Sequence, residues 1–314
     1  MSERTITRRS VLKATGAAVA AAAVPAGAQA ADAQWTVAET PTENTLYDVQ
    51  YTSAGAYAVG GGGVVLERTA DGWRKVLDGG PTGNGNDLYG AGVTDDGERL
   101  WFVGASGAIG EYDVSTGDVN DYSAPNDVTN NFNDVAVTRR EGEAYVYVAG
   151  DSGKVYSSFD NGETFDEVTP GSGAAIEAID FHDPRGGHLV DGNQSVFATG
   201  DGTTWEKVGI ADADVNFYGV DSDANDNVWV SGGGGMIHDY DGAGWRPEDT
   251  GDAGLRDVEI ERGVGYTVGG GGKVYRRDGS DWTQEQTPVG QNLKAVVRGD
   301  PPIAVGAAGT VLER

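Results

Sequence analysis

The sequence predicts an all-β fold, a seven-bladed β-propeller with four antiparallel strands per blade. Three observations predict it: a first-strand segment that recurs seven times, a glycine turn at a fixed place in most copies, and an aromatic residue that opens the fourth strand. The unit is clearest over Leu255–Gly290. There, extended runs at Leu255–Ile260, Gly265–Val268, Lys273–Arg277 and Trp282–Gln286 are separated by glycine-rich or Asp-Gly turns, the punctuation of antiparallel hairpins. One small sheet with two apolar faces leaves too much apolar surface in water, so the copies must stack.

The first-strand segments start near Leu46, Leu88, Phe132, Ile176, Phe217, Leu255 and Leu293, at intervals of 38 to 44 residues. That period suits four-stranded blades, whereas stacked helix pairs would show apolar spacing of about 3.6 residues. The turn between second and third strands reads apolar-Gly-x-x-Gly-x-apolar, as in Val59-Gly60 to Gly63-Val64-Val65 and Val268-Gly269 to Gly272-Lys273-Val274. Glycine at two fixed places implies positive φ or close backbone approach. The fourth copy departs from this, with Asp191 to Ser195 in the turn.

Trp73, Phe165, Trp205, Trp245 and Trp282 open the fourth strands, and Val119 takes that place in the second copy. The seventh copy ends at Arg314 before its fourth strand arrives, while residues 33–39, around Trp35, look like an orphan fourth strand. The expectation is that this N-terminal strand completes the last blade and closes the ring, leaving no long unpaired edge. The domain reading is therefore 1–30 as an export signal and 31–314 as the propeller.

Acidic residues outnumber basic ones 49 to 22, giving a formal net charge of −27. Such a surface repels nucleic acid and anionic lipid. The acids are spread over all copies, which favours solvation in a salt-rich environment (a halophilic acidic surface) over one cation-binding patch. Thr7-Arg8-Arg9-Ser10-Val11-Leu12-Lys13, a weakly apolar stretch to Val24 and Ala28-Gln29-Ala30 compose a twin-arginine export signal with a small-residue cleavage site. Its apolar stretch is short for a membrane span, so no membrane insertion is expected after cleavage. The chain has no cysteine, which excludes disulfides and a lipidated cysteine anchor. The expected product is an extracytoplasmic monomer, secreted or at the cell surface.

Candidate chemistry is sparse. Gly150-Asp151-Ser152-Gly153 imitates a serine-nucleophile setting but falls on the repeated turn, without a positioned base. Gly269–Gly272 before Lys273 leads into a strand rather than a phosphate-binding helix. His182 and His188 bracket Asp183-Pro184-Arg185, which reads as a solvated hairpin tip rather than a metal site. Asp221, Asp223 and Asn225 begin like a calcium loop, but Asp226 and Gly232 stand where glycine and glutamate belong, so the stretch reads as a hairpin turn. Asn193-Gln194-Ser195 is a lone glycosylation sequon. No catalytic residue, metal or cofactor is assigned.

Ser158, Asp160, Gly162, Thr164 and Phe165 match the Ser-x-Asp-x-Gly-x-Thr-aromatic pattern of the Asp-box, with an echo at Asp201 to Trp205. The Asp side chain is expected to cap the turn over the aromatic, a structural role. With the repeated strand starts and glycine turns, this makes residues 33–314 resemble the BNR/YVTN-like (WD40-like) propellers, most of all the photosystem II stability and assembly factor type. That resemblance implies a non-enzymatic binding or assembly scaffold for a protein or glycan partner. The competing class is a sialidase-like glycoside hydrolase or carbohydrate-binding propeller. Its enzymes use six blades, three arginines for the substrate carboxylate and a Tyr/Glu pair; Glu177 with Tyr218 or Tyr47 imitates only part of that.

The residue after each first-strand start is expected to line the axial mouth: Tyr47, Tyr89, Asn133, Glu177, Tyr218, Arg256 and Lys294. Alternation of strand side chains supports this, since Tyr47 should point away from the side taken by Leu46 and Asp48. The set is rich in interface-type residues, and the alternative is a channel plug held by mutual contacts.

Overall fold

A computed structural model describes residues 34–171, 173–211 and 213–314. The export signal over residues 1–30 lies outside the described residues. Seven four-stranded antiparallel sheets form the propeller blades. Their innermost strands are Leu46–Thr52, Leu88–Val93, Phe132–Thr138, Ile176–Phe181, Phe217–Ala224, Leu255–Glu261 and Leu293–Val297, in blades 1 to 7. Thr36–Ala38 pairs with Val311–Glu313 and is the outer strand of blade 7, so the N-terminal strand closes the ring.

The buried apolar clusters sit between blades. Leu46, Val64 and Trp73 of blade 1 pack on Val297, Ile303 and Val305 of blade 7. Tyr57, Val59 and Val65 of blade 1 pack on Leu88, Phe102 and Ala108 of blade 2. Val64 and Val65, consecutive in one strand, thus serve opposite junctions, because side chains alternate across a sheet. At the closing blade, Trp35 joins Tyr266 and Val268 of blade 6.

The glycine turn divides two demands that its repeated pattern leaves merged. The first glycine is extended, Gly60 having φ −167°, but a Cβ there would come 2.5 Å from the Thr45 carbonyl oxygen. The last glycine needs left-handed backbone, as at Gly63 and Gly272 with φ 73° and 72°. In blade 4 a side chain replaces the glycines: Asp191 Oδ1 accepts from the Asn193 and Ser195 amides at 2.9 and 3.0 Å.

Two local expectations are corrected. His182 and His188 are buried rather than solvated, and both Nδ1 atoms contact Ser222 Oγ, at 2.9 and 2.7 Å. The hairpin packs against blade 5 and sinks the histidines into that junction. Asp221 and Asp223 lie within the innermost strand of blade 5, not in the turn. Asp221 is buried and accepts the Ile260 amide of blade 6 at 2.7 Å, which fixes it as a link between blades.

The turn after Val155–Ser158 is built by Asp160, which accepts the Thr164 amide at 3.0 Å and the Thr164 hydroxyl at 2.6 Å, while Ser158 Oγ accepts the Gly162 amide at 2.8 Å. Phe165 is buried against the blade 2–3 cluster. Asp201 repeats the device, accepting from the Thr203 and Thr204 amides.

Candidate functional site: the axial mouth

Each innermost strand carries the same irregularity. Register with the second strand breaks between Leu46 and Asp48, and again between Leu88/Gly90, Phe132/Asp134, Ile176/Ala178, Phe217/Gly219, Leu255/Asp257 and Leu293/Ala295. The residue skipped in each blade is Tyr47, Tyr89, Asn133, Glu177, Tyr218, Arg256 or Lys294. A bulge turns its unpaired residue out of the regular alternation and re-aims the side chain. Strict alternation is therefore not what places these seven: Leu46 packs toward blade 7, whereas Asp48 reaches the Ala91 amide of blade 2.

All seven line one cavity of about 100 Å³ at the end of the axis. Tyr47 and Tyr89 meet edge to face, with ring centroids 5.1 Å apart. The Arg256 guanidinium lies 4.0 Å from the centre of the Tyr218 ring, and Lys294 Nζ lies 5.6 Å from that of Tyr47. Asn133 Nδ2 donates to Asp151 Oδ1 at 3.0 Å and to the Ile176 carbonyl at 2.9 Å.

Burial, with Asp151 nearby, raises the pKa of Glu177, and Arg256 opposes the shift. Burial first, then the charge of Arg256, lowers that of Lys294. Burial also raises Tyr47 and Tyr89, which stay neutral phenols. The two cations of the mouth thus come from blades 6 and 7, and Glu177 and Asp151 from blades 4 and 3, while Asp48, Asp134 and Asp257 line the same cavity and Asp87 acts on Tyr47 and Tyr89.

Beneath the mouth lies a ring whose role the repeat pattern hid. Asp48 accepts the Val49 amide at 2.6 Å and, from the next blade, the Ala91 amide at 2.8 Å. Asp134 does the same with Val135 and Ile179, and Asp257 with Val258 and Val296. The equivalent residues in the other blades are Gly90, Ala178, Gly219 and Ala295. Each Asp thus meets a small residue in the following blade. Seven is odd, so the alternation fails once, at Ala178 beside Gly219. The signal was present in the sequence as Asp or a small residue two places after every start, but its reason needs the neighbouring blade.

Of the parts a sialidase-like site would need, the mouth lining includes a glutamate and tyrosines but only one arginine, Arg256. Among the described residues no cluster of three or more His, Cys, Asp or Glu is arranged to hold a metal ion.

Residues 5–25 match the twin-arginine translocation pathway signal sequence model. No curated protein matches the chain. Solved structures do. YCF48 from Cyanidioschyzon merolae superposes with TM-score 0.69 at 17% identity, covering 90% of this chain and 98% of its own. YCF48 bound to D1 peptide gives 0.71 at 17%, covering 93% and 99%. A catalytically inactive virginiamycin B lyase from Staphylococcus aureus with quinupristin gives 0.77 at 14%, covering 89% and 98%. At these identities the likeness is one of fold. The chain is a seven-bladed β-propeller that carries a twin-arginine signal and is exported by that pathway to the extracytoplasmic space.

Proposed function

We propose that this exported propeller is a non-enzymatic binding scaffold, and that its axial mouth captures a protein partner at the cell surface. The observation that carries the reading is the convergence of all seven bulge residues on one concave, solvent-reached end. Three tyrosines and an arginine there are residues of the kind that dominate binding energy at interfaces. A cavity of about 100 Å³ is small beside the roughly 300–1,000 Å³ of small-molecule sites, which favours a partner's loop or chain end over a sugar ring. The peptide complex of the similarly folded YCF48 agrees with this reading.

In the same reading the mature chain starts after Ala30, works as a monomer, and relies on its acidic surface for solubility in salt. The Asp160 and Asp201 turns are structural. The test is a photo-crosslinker placed at the mouth in the mature chain. Tyr89→Ala and Tyr218→Ala should leave the melting temperature within a few degrees and abolish cross-linking. Retained cross-linking in both would remove the mouth from the function. Turnover of fluorogenic glycosides that disappears with Glu177→Gln would establish the hydrolase instead.

A further inference from the structure

We propose that Arg256 and Lys294 form a carboxylate-recognition subsite within the mouth, and that the partner segment inserts an acidic side chain or a C-terminal carboxylate there. This rests on the mouth being the binding surface. In a chain with 49 acidic and 22 basic residues, cations readily find carboxylates. Arg68, Arg99, Arg277, Arg298 and Arg314 all do so, within 3.0 Å. Arg256 and Lys294 form no ion pair among the described residues. Each lies instead over a tyrosine ring of the mouth.

The Arg256 guanidinium lies over Tyr218 and makes no hydrogen bond or ion pair among the described residues, so its N–H groups are available for a two-pronged bond to a carboxylate. Lys294 is half-buried and is adjacent to that second cation, so its ammonium bears a desolvation cost and a like-charge repulsion. An incoming anion offsets both. Glu177 and Asp151, with Asp87 near Tyr47 and Tyr89, repel the same anion and give the bound segment a direction toward the two cations, while the Asp257 carboxylate beside Arg256 is engaged by the Val258 and Val296 amides. A pocket of this size takes a carboxylate and a few methylenes.

The test is an NMR titration of the full mature chain, with labelled lysine and arginine side chains, against three probes. These are acetyl-tetraglycine with a free C-terminal carboxylate, its C-terminal amide, and an amidated glycine peptide with one internal glutamate. The expected result is a saturable shift of the Lys294 and Arg256 signals with one or both acid probes and none with the amide. The acid that acts tells a chain end from a side chain. Lys294→Met and Arg256→Gln, which remove the charge and keep an unbranched side chain, should each weaken binding about tenfold. Equal response to acid and amide, or no response up to roughly 50 mM, a generous ceiling for so small a ligand, would overturn the assignment. Loss of partner cross-linking in Tyr89→Ala and Tyr218→Ala but not in Lys294→Met or Arg256→Gln would sink the carboxylate subsite and leave the mouth standing. No loss in any of the four would sink both.

Discussion

Arg68 in blade 1 grips Glu313 in blade 7 with two hydrogen bonds of 2.9 and 2.8 Å, although the two stand 245 residues apart in the chain. The Trp73 indole N–H adds a third to the same carboxylate at 2.9 Å. On the other side of blade 7, Glu285 of blade 6 accepts from Trp35 and Arg314 at 2.6 and 2.9 Å. One carboxylate therefore guards each junction of the blade that joins the two chain ends.

The bonds from Arg68 hold the Glu313 carboxyl below its ordinary value. A depressed carboxylate stabilises the fold above its unfolded pKa, and that contribution is lost as pH falls below about 4.5. Glu313→Gln should destabilise the neutral-pH fold by ~1–2 kcal/mol, with the pair's partial exposure keeping the figure low. The difference between variant and parent should shrink in acid. Urea unfolding at pH 7 and pH 4 measures both.

The Asp ring predicts which glycine resists replacement. A Cβ on Gly90 would come 2.7 Å from the Asp134 Cα in the next blade, whereas one on Gly244 meets nothing within 4 Å. Gly90→Ala should cost ~1–3 kcal/mol by forcing two blades apart, and Gly244→Ala less than ~0.5 kcal/mol. Asp48→Ala should cost ~1–3 kcal/mol, because two buried amides lose their acceptor. Thermal unfolding of the three variants ranks them.

Burial, and secondarily the neighbouring His182, depresses the pKa of His188 to about 3. The unfolded chain therefore takes up a proton that the folded one refuses. Stability from this group is intact above about pH 6.5 and falls as pH drops toward 3. Burial, with Asp180 and Glu261 nearby, raises Asp223 to about 7, with the opposite consequence: its contribution is present below about pH 3.8 and lost as pH rises through 7. The two contributions oppose each other between about pH 4 and 6.5, so His188→Asn should leave stability falling more steeply as pH rises through that window, and Asp223→Asn should leave it rising. Unfolding midpoints from pH 4 to 8 test each slope separately, and an unchanged slope in either variant removes that group from the account.

Export should fail when both Arg8 and Arg9 become lysine, leaving the chain in the cytoplasmic fraction. N-terminal sequencing of the exported product should begin at Ala31. A start elsewhere would move the mature boundary.

The sequence by itself determined the blade count, the strand order and the closing strand. These follow from turn chemistry and apolar runs a few residues long, and a glycine turn or a strand start is legible wherever it occurs. By alternation it also singled out the residue after each strand start, and in the structure a bulge in every blade turns those seven toward one cavity, whose binding role is our proposal. Only the tertiary structure decided what Asp48, Asp134 and Asp257 do, why His182 and His188 are buried, and that the Arg256 guanidinium lies over Tyr218. Each of those depends on a neighbouring blade roughly 40 residues away, and local pattern carries no information about which side chain arrives across a junction.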